Sequence, residues 1–208
     1  MAGTAPRSES NHTGASRDFE ASYAAGTPPW DIGRPQPAFA KLAADGALAG
    51  RVLDAGCGTG EHALLAASFG HEAVGVDIAA TAIDRARTKA IERGLEVSFL
   101  VADALRLTEL DERFDTVLDC GLFHTFDDDD RARFVDSVAS IVPTGGRYHM
   151  LCFSEHQPGD WGPRRVTQAE IRASFANGWV VDSIEPTVID ITIDPNGAHA
   201  WQVGATRI

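Results

Sequence analysis

Several absences narrow the field before any motif is considered. The chain has three cysteines, Cys57, Cys120 and Cys152, and no CxxC pair. An odd number at unrelated spacings gives neither a disulfide framework nor a thiolate metal site, and reads as reduced thiols in a cytoplasmic protein. No uncharged apolar stretch approaches the roughly 18 residues a membrane span needs. The first residues, MAGTAPRSESNHTGASRD, hold no apolar run, so a secretory signal is not expected. Lys and Arg form no dense cluster, and the formal net charge is −12. A phosphate backbone needs a basic face, which argues against a nucleic-acid partner. A small-molecule partner is expected, and a monomer or small homo-oligomer.

Apolar residues make up 44% and charged residues 23% of the 208, as in a globular domain with a real core. Residues 1–17 are rich in Ser, Gly, Thr and Ala and are expected to be disordered. Residues 18–48 read as an N-terminal lid: a short helix near Asp18–Ala25, a proline-rich loop, and a second helix at Ala38–Ala44. From residue 49 on, strand and helix alternate. RVLDA, HEAVGVD, LEVSFLVAD, FDTVLDC and RYHMLCFS read as strands. EHALLAASFG, Ala79–Arg93 and DDDDRARFVDSVASIV read as intervening helices. A helix near Thr167–Ala176 precedes two strands, about 179–191 and 199–207, with DPNG at Asp194–Gly197 as their hairpin turn. The expected fold class is α/β: a doubly wound, Rossmann-like, seven-stranded, mostly parallel sheet closed by an antiparallel C-terminal hairpin.

VLDAGCGTG, Val52 to Gly60, carries the chemistry. A buried strand runs into Gly56, Gly58 and Gly60, and a helix opens at once. Such loops let a ligand approach the backbone, and the helix start offers N–H groups. A simple tight turn is the plainer alternative. Asp77 ends the second strand, where it could hold a ribose diol or merely cap the following helix. A dinucleotide fingerprint would need glycine at position 61, which is Glu61. A carboxylate there repels a pyrophosphate, and Asp54 at the first strand's end better suits a ligand bearing an ammonium group.

With VGVD, VADAL, FDTVLDCGLFH and PTGGRY following in order, the chain from Arg51 to Ile208 resembles the class I S-adenosylmethionine-dependent methyltransferases. The resemblance implies S-adenosylmethionine as the methyl donor and S-adenosylhomocysteine as the product. It implies that Gly56, Cys57, Gly58 and Gly60 pass beneath the methionine moiety, that Asp54 binds its amino end, and that Asp77 takes the ribose hydroxyls. Asp103 and the Ala104 backbone approach the adenine, with Ile78, Cys120 and Trp30 alongside. An ordinary surface carboxylate is the alternative reading of Asp103. Asp127 to Asp130 open a helix and mostly complement its dipole, so no metal is expected.

Asp119-Cys120-Gly121-Leu122 departs from the Asn/Asp-Pro-Pro-aromatic quartet of enzymes that methylate bases. TPPWDIGRPQP resembles the entry segment of the thiopurine, thiol and halide branch, and the whole chain is most similar there to the heterocyclic toxin methyltransferases, which act on hydroxyquinolone-type rings. It departs from plant halide enzymes, whose glycine loop usually lacks the acid seen at Asp54. The implied acceptor is a small aromatic heterocycle, methylated at oxygen or nitrogen in a detoxification role. A thiol or halide acceptor, a nicotinamide oxidoreductase and a non-catalytic cofactor-binding protein stay open beside it. Tyr23, Trp30, Phe123, His124, Phe126, Phe153, His156 and Trp161 are the expected acceptor-facing residues. His124, then His156, is the candidate general base. Asp31 is expected to fix its loop through the backbone or Arg34, and Trp30 could simply pin the loop to the core.

Overall fold

The computed structural model describes residues 18–208, and the tail expected at 1–17 lies outside them. Seven strands form one sheet in the order β3-β2-β1-β4-β5-β7-β6: β1 (Val52–Ala55), β2 (Ala73–Asp77), β3 (Val97–Val101), β4 (Thr116–Cys120), β5 (Arg147–Phe153), β6 (Trp179–Ile191) and β7 (Asp194–Arg207). The first five are parallel, and β7 runs antiparallel to both β5 and β6. β1 is buried along its whole length, as a central strand covered on both faces must be.

Alternation within the strands sends side chains to two cores. On one face Leu53, Val117, Tyr148, Met150 and Val203 pack beneath α5 (Asp128–Ile141) and α6 (Gln168–Ser174). On the other, Val52, Leu118, Leu151 and Phe153 meet α2 (Pro37–Ala44), α3 (Glu61–Ser68) and α4 (Ala80–Arg93). Strand order reverses on either side of β1, which pairs with β2 and β4. Beyond the carboxyl ends of strands at such a switch point lies the crevice where open α/β sheets bind ligands.

The closing hairpin differs from expectation. Ile191 pairs with Asp194, so the turn is Thr192–Ile193 and β7 begins at Asp194, not near 199. Asp194-Pro195-Asn196-Gly197 forms a bulge inside the ladder, where the register shifts between Ile189 and Ile191. Asp194 Oδ1 accepts from the Asn196 amide at 2.9 Å, and Gly197 takes φ 69°. The turn chemistry is present, yet it kinks a strand instead of ending one.

The N-terminal segment crosses the top of the sheet. α1 (Phe19–Ala25) lies on α4, with Tyr23 buried against Ala79 and Ala82. α4 lacks a side-chain cap of its own, and Glu20 of α1 supplies one by accepting from the Thr81 amide at 3.0 Å and from the Thr81 hydroxyl. The proline loop then reaches the hairpin tip. Thr192 donates its amide to the Pro29 carbonyl at 2.9 Å, Arg34 pairs with Asp190 at 2.7 Å, and Gln36 exchanges two bonds with the Asp190 backbone. Arg34 is therefore engaged with the hairpin, and of the two routes expected for Asp31 it is the backbone that it uses, accepting from the Gly33 amide at 3.3 Å.

Candidate active site

The glycine loop joins β1 to α3 with Gly56, Gly58 and Gly60 at φ 69°, 51° and 86°, conformations that only glycine adopts without strain. What faces each differs. The Leu122 side chain lies over Gly56, and Tyr23 Oη lies over Gly58. At Gly60 a side chain would instead meet Phe99 at 2.6 Å and Ala86 at 2.9 Å. Gly60 is thus a packing glycine between α3, α4 and β3, which leaves only its backbone for any ligand contact. Cys57 likewise sends its thiol into the core beside Gly75, and only its backbone belongs to the loop. Cys120 is half-buried against the same core, and burial raises its thiol pKa well above the ordinary range.

Asp54 is fully buried. Its Oδ2 accepts from the Ala63 amide at 3.1 Å, while Oδ1 is buried with no partner. Burial pushes its pKa up to about 8, with Asp77 and Asp119 adding to the effect against the Ala63 bond. An orphaned carboxylate oxygen beside a glycine loop is a seat that a ligand's ammonium would fill, so the residues present fit an amino-acid-bearing cofactor. Asp77 accepts from the Gly58 amide at 2.8 Å and from the Ala79 amide at 2.8 Å, tying the loop to the start of α4. Burial raises its pKa as well. Each of its oxygens keeps a second lone pair, which leaves room for a ribose hydroxyl. Ile78, next in sequence, is 61% exposed and offers apolar surface to a flat ring. Asp103 caps the 3-10 turn at Ala104–Leu110, accepting from the Leu105 amide at 2.9 Å, and contacts Arg106. The Ala104 methyl is in the core, which leaves its backbone for any ligand contact.

Glu61 is committed to an ion-paired cluster with Lys89 at 2.7 Å and Arg93 at 2.8 Å. Burial opposes its ionisation, but the bonds from Arg93 and Lys89 outweigh that and hold its carboxyl below the usual range. Lys89 also donates to the Thr59 hydroxyl, which donates to Asp31 Oδ1 at 3.0 Å. Trp30 donates its indole N–H to Tyr23 Oη at 3.0 Å and is 41% exposed, with its ring edge-on to Phe19 and Tyr23. The tryptophan therefore holds Tyr23 over the glycine loop while one side stays open. Burial, and then Asp77, raise the Tyr23 pKa and keep its hydroxyl protonated.

The acceptor-facing set divides. His124, Phe153 and Trp161 form a row, with ring centroids 5.0 Å apart for the first pair and 5.7 Å for the second. Phe123 departs from expectation: it is fully buried between Phe175 and the Arg131 guanidinium, inside the core under α5. Phe126 packs against Phe134 at 5.1 Å, on the edge of that same core. His156 is exposed and lies against Trp201, whose core face is opposite to that of Phe153. The structure does not bring His156 to His124. Its strand-end position suggested convergence, but the alternation of β5 and β7 separates the two.

Asp119 is a site-building residue that the sequence reading passed over. It is fully buried at the end of β4 and accepts from the Leu122 amide at 2.7 Å, the Phe123 amide at 3.1 Å and the Tyr148 hydroxyl at 2.7 Å. Burial lifts its pKa to about 7 against those three bonds. It shapes the loop that lays Leu122 on Gly56 and carries His124. Its signal was an acid ending an otherwise apolar strand just before a glycine. Among the described residues no group of His, Cys, Asp or Glu is arranged to hold a metal ion, and no helix is long and apolar enough to cross a membrane.

Comparison with known proteins agrees with this geometry. The family described as "Methyltransferase domain" matches residues 52–146. A 2-heptyl-1-hydroxyquinolin-4(1H)-one methyltransferase of Mycobacteroides abscessus is 42% identical over 178 residues, covering 81% of this chain and 78% of the relative. A structure solved in work on the conversion of a disulfide bond into a thioacetal group during echinomycin biosynthesis is 38% identical, with TM-score 0.82 and 91% of both chains covered. Magnesium protoporphyrin IX methyltransferase of Synechocystis, solved with bound S-adenosylmethionine, shares the fold at TM-score 0.66 and 24% identity, covering 82% of this chain and 76% of that one. On a doubly wound sheet with a glycine loop at its switch point and a relative of this identity and coverage, the chain belongs to the class I S-adenosylmethionine-dependent methyltransferases.

Proposed function

We propose that the chain methylates a small aromatic heterocycle of hydroxyquinolone type at oxygen or nitrogen. The observation that carries this is the row His124–Phe153–Trp161 at the carboxyl ends of β4 and β5, beside the glycine loop. The rings stand edge-on, running from buried His124 and Phe153 out to the exposed Trp161, and an aromatic row with one polar ring suits an acceptor ring bearing one exchangeable group. The name of the 42% identical relative supports the same class.

S-adenosylmethionine supplies a methyl group made electrophilic by its sulfonium. The residues that would hold it are Asp54 at the amino group, the backbone at Gly56 and Gly58, and Asp77 at the ribose. Tyr23 and Trp30, on the segment 18–48, act as the lid over them. Positioning and exclusion of water are the chain's main contribution, on the order of 7–11 kcal/mol for well-oriented partners. The net charge of −12 disfavours a nucleic-acid acceptor.

A thiol acceptor is the second reading, favoured by the likeness to the protein of thioacetal formation. Incubation with methyl-labelled S-adenosylmethionine and a panel of hydroxyquinolones, phenols, thiols and halides, read by mass, separates the two. A labelled heterocycle supports the proposal. Label on thiols alone moves the protein to the second reading, and no product with S-adenosylhomocysteine bound removes the acceptor assignment.

A further inference from the structure

We propose that Arg165 is a positioning residue for methyl transfer: its guanidinium winds residues 157–163 around itself and so fixes Trp161 as a preformed outer wall for the acceptor. This rests on the reading of His124, Phe153 and Trp161 as the acceptor row, and adds the residue that keeps the outermost ring in place. The chain leaves β5 at Ser154 and returns beside it at Val166, where the two residues form a parallel bridge. Val166 donates its amide to the Phe153 carbonyl at 2.9 Å, and Glu155 donates to the Val166 carbonyl at 3.2 Å. Residues 155–165 therefore form a loop closed at its neck, with Trp161 midway along it and 38% exposed.

Such a loop is short of donors. Pro158 and Pro163 have no amide hydrogen, and Gly159 and Gly162, at φ 75° and 76°, turn the backbone out of any regular ladder. Arg165 makes up the shortage. Its Nε donates to the Gln157 carbonyl at 3.3 Å and its Nη2 to the Pro158 carbonyl at 3.2 Å. Nη1 donates to the carbonyls of Trp161 at 2.6 Å and Pro163 at 2.8 Å. One guanidinium thus binds four carbonyls of a single loop. Gln157, itself buried, anchors the assembly to β7 by accepting from the His199 amide at 2.6 Å.

The same group lies against both aromatic rings. Its Cζ is 5.7 Å from the Phe153 centroid and 5.8 Å from the Trp161 centroid, within cation–π range, and the two rings meet edge-on at 83°. The loop glycines keep the fit close. A side chain on Gly162 would begin 3.4 Å from the Phe153 ring, and one on Gly159 would begin 3.2 Å from the Trp161 indole. Lysine cannot replace this arginine, because a compact ammonium has no planar fork to span four carbonyls and no face to stack. The wall is then in place before the acceptor arrives. A ring is selected by its fit to a rigid surface, without the ordering cost of closing a flap.

The test is a double-mutant cycle on acceptor kcat/KM with the methyl donor saturating. Arg165→Lys is expected to raise KM for a hydroxyquinolone about 10- to 100-fold and to change kcat by less than about threefold. S-adenosylhomocysteine affinity and melting should stay as in the wild type. Trp161→Ala should give a loss of the same order, and the double variant no more than the larger single loss. Losses that multiply would overturn the inference, because Arg165 would then act apart from Trp161. An unchanged acceptor KM in Arg165→Lys overturns it as well, and so does a matching fall in melting and S-adenosylhomocysteine binding. Chymotrypsin gives a readout independent of turnover. The wild-type loop should resist cleavage after Trp161, and Arg165→Lys should be cut there about tenfold faster; equal rates count against the inference. If the wild-type chain methylates no heterocycle, the proposed function fails instead, and the cleavage rates decide alone whether Arg165 holds Trp161.

Discussion

Asp54 makes cofactor binding a proton-linked event. In the protein without ligand its carboxyl has been pushed from an ordinary 3.8 to about 8, so at neutral pH it is mostly protonated. An ammonium seated on Oδ1 requires the ionised form, and binding then releases one proton. Below pH 8 the affinity for S-adenosylhomocysteine is expected to rise about tenfold per pH unit, near 100-fold between pH 5.5 and 7.5, where the ligand's ammonium stays charged. The sign for stability is opposite. The folded state holds a proton that the unfolded chain has lost, so between pH 4 and 8 this group costs stability as pH rises, by at most about 5 kcal/mol over the window. Asp54→Asn removes both effects. It should melt higher than wild type at pH 8, bind ligand comparably at pH 5.5, and bind about 30- to 1000-fold more weakly at pH 7.5. Titration calorimetry in buffers of differing ionisation enthalpy counts the proton directly. A flat affinity from pH 5.5 to 7.5 with no proton released at pH 6.5 would refute the reasoning.

Three other substitutions probe separate parts of the site. Trp30→Phe removes the bond to Tyr23 Oη and should cost about 1 kcal/mol, read as several-fold weaker S-adenosylhomocysteine binding with the global melt little changed. Gly60→Ala places a methyl 2.6 Å from Phe99 in a left-handed conformation. A loss of about 2–4 kcal/mol in chemical denaturation is expected, and a neutral result would show that Phe99 can move aside. Tyr148→Phe strips Asp119 of one of its three donors. It should destabilise by about 1–3 kcal/mol and raise KM for the acceptor more than for the methyl donor, because the Asp119 loop carries His124.

The sheet was legible in the sequence because its signals are local. Apolar strands ending in Asp54 and Asp77, glycines at helix starts and helical spacing through Ala82, Ile83, Ala86 and Ala90 each follow from a few neighbouring residues. The glycine loop was legible for the same reason, though not the division of labour within it: Gly60 faces Phe99, some 40 residues on, and no local pattern reports that. Phe123 was misread because aromatic residues after β4 can point to the pocket or into the core, and Phe175 and Arg131 decide the matter from distant helices. The DPNG turn failed through a competing use of the same chemistry, since a bulge and a hairpin turn both need Asp, Asn and a left-handed glycine. Asp119 escaped notice because its partner Tyr148 lies on another strand.

The tie between the proline loop and the hairpin tip also fixes an order of events during synthesis. Pro29, Arg34 and Gln36 are held by Asp190 and Thr192, contacts spanning 154 to 163 positions. Closing loops of that length is slow and comes late, after locally connected elements have formed. Every residue of the glycine loop, and Asp54, Asp77 and Asp119 with it, leaves the ribosome well before the hairpin that anchors the segment above them. The proline loop can take its final place only once Asp190 and Thr192 have been made, and the last strands act as the clasp that completes the molecule.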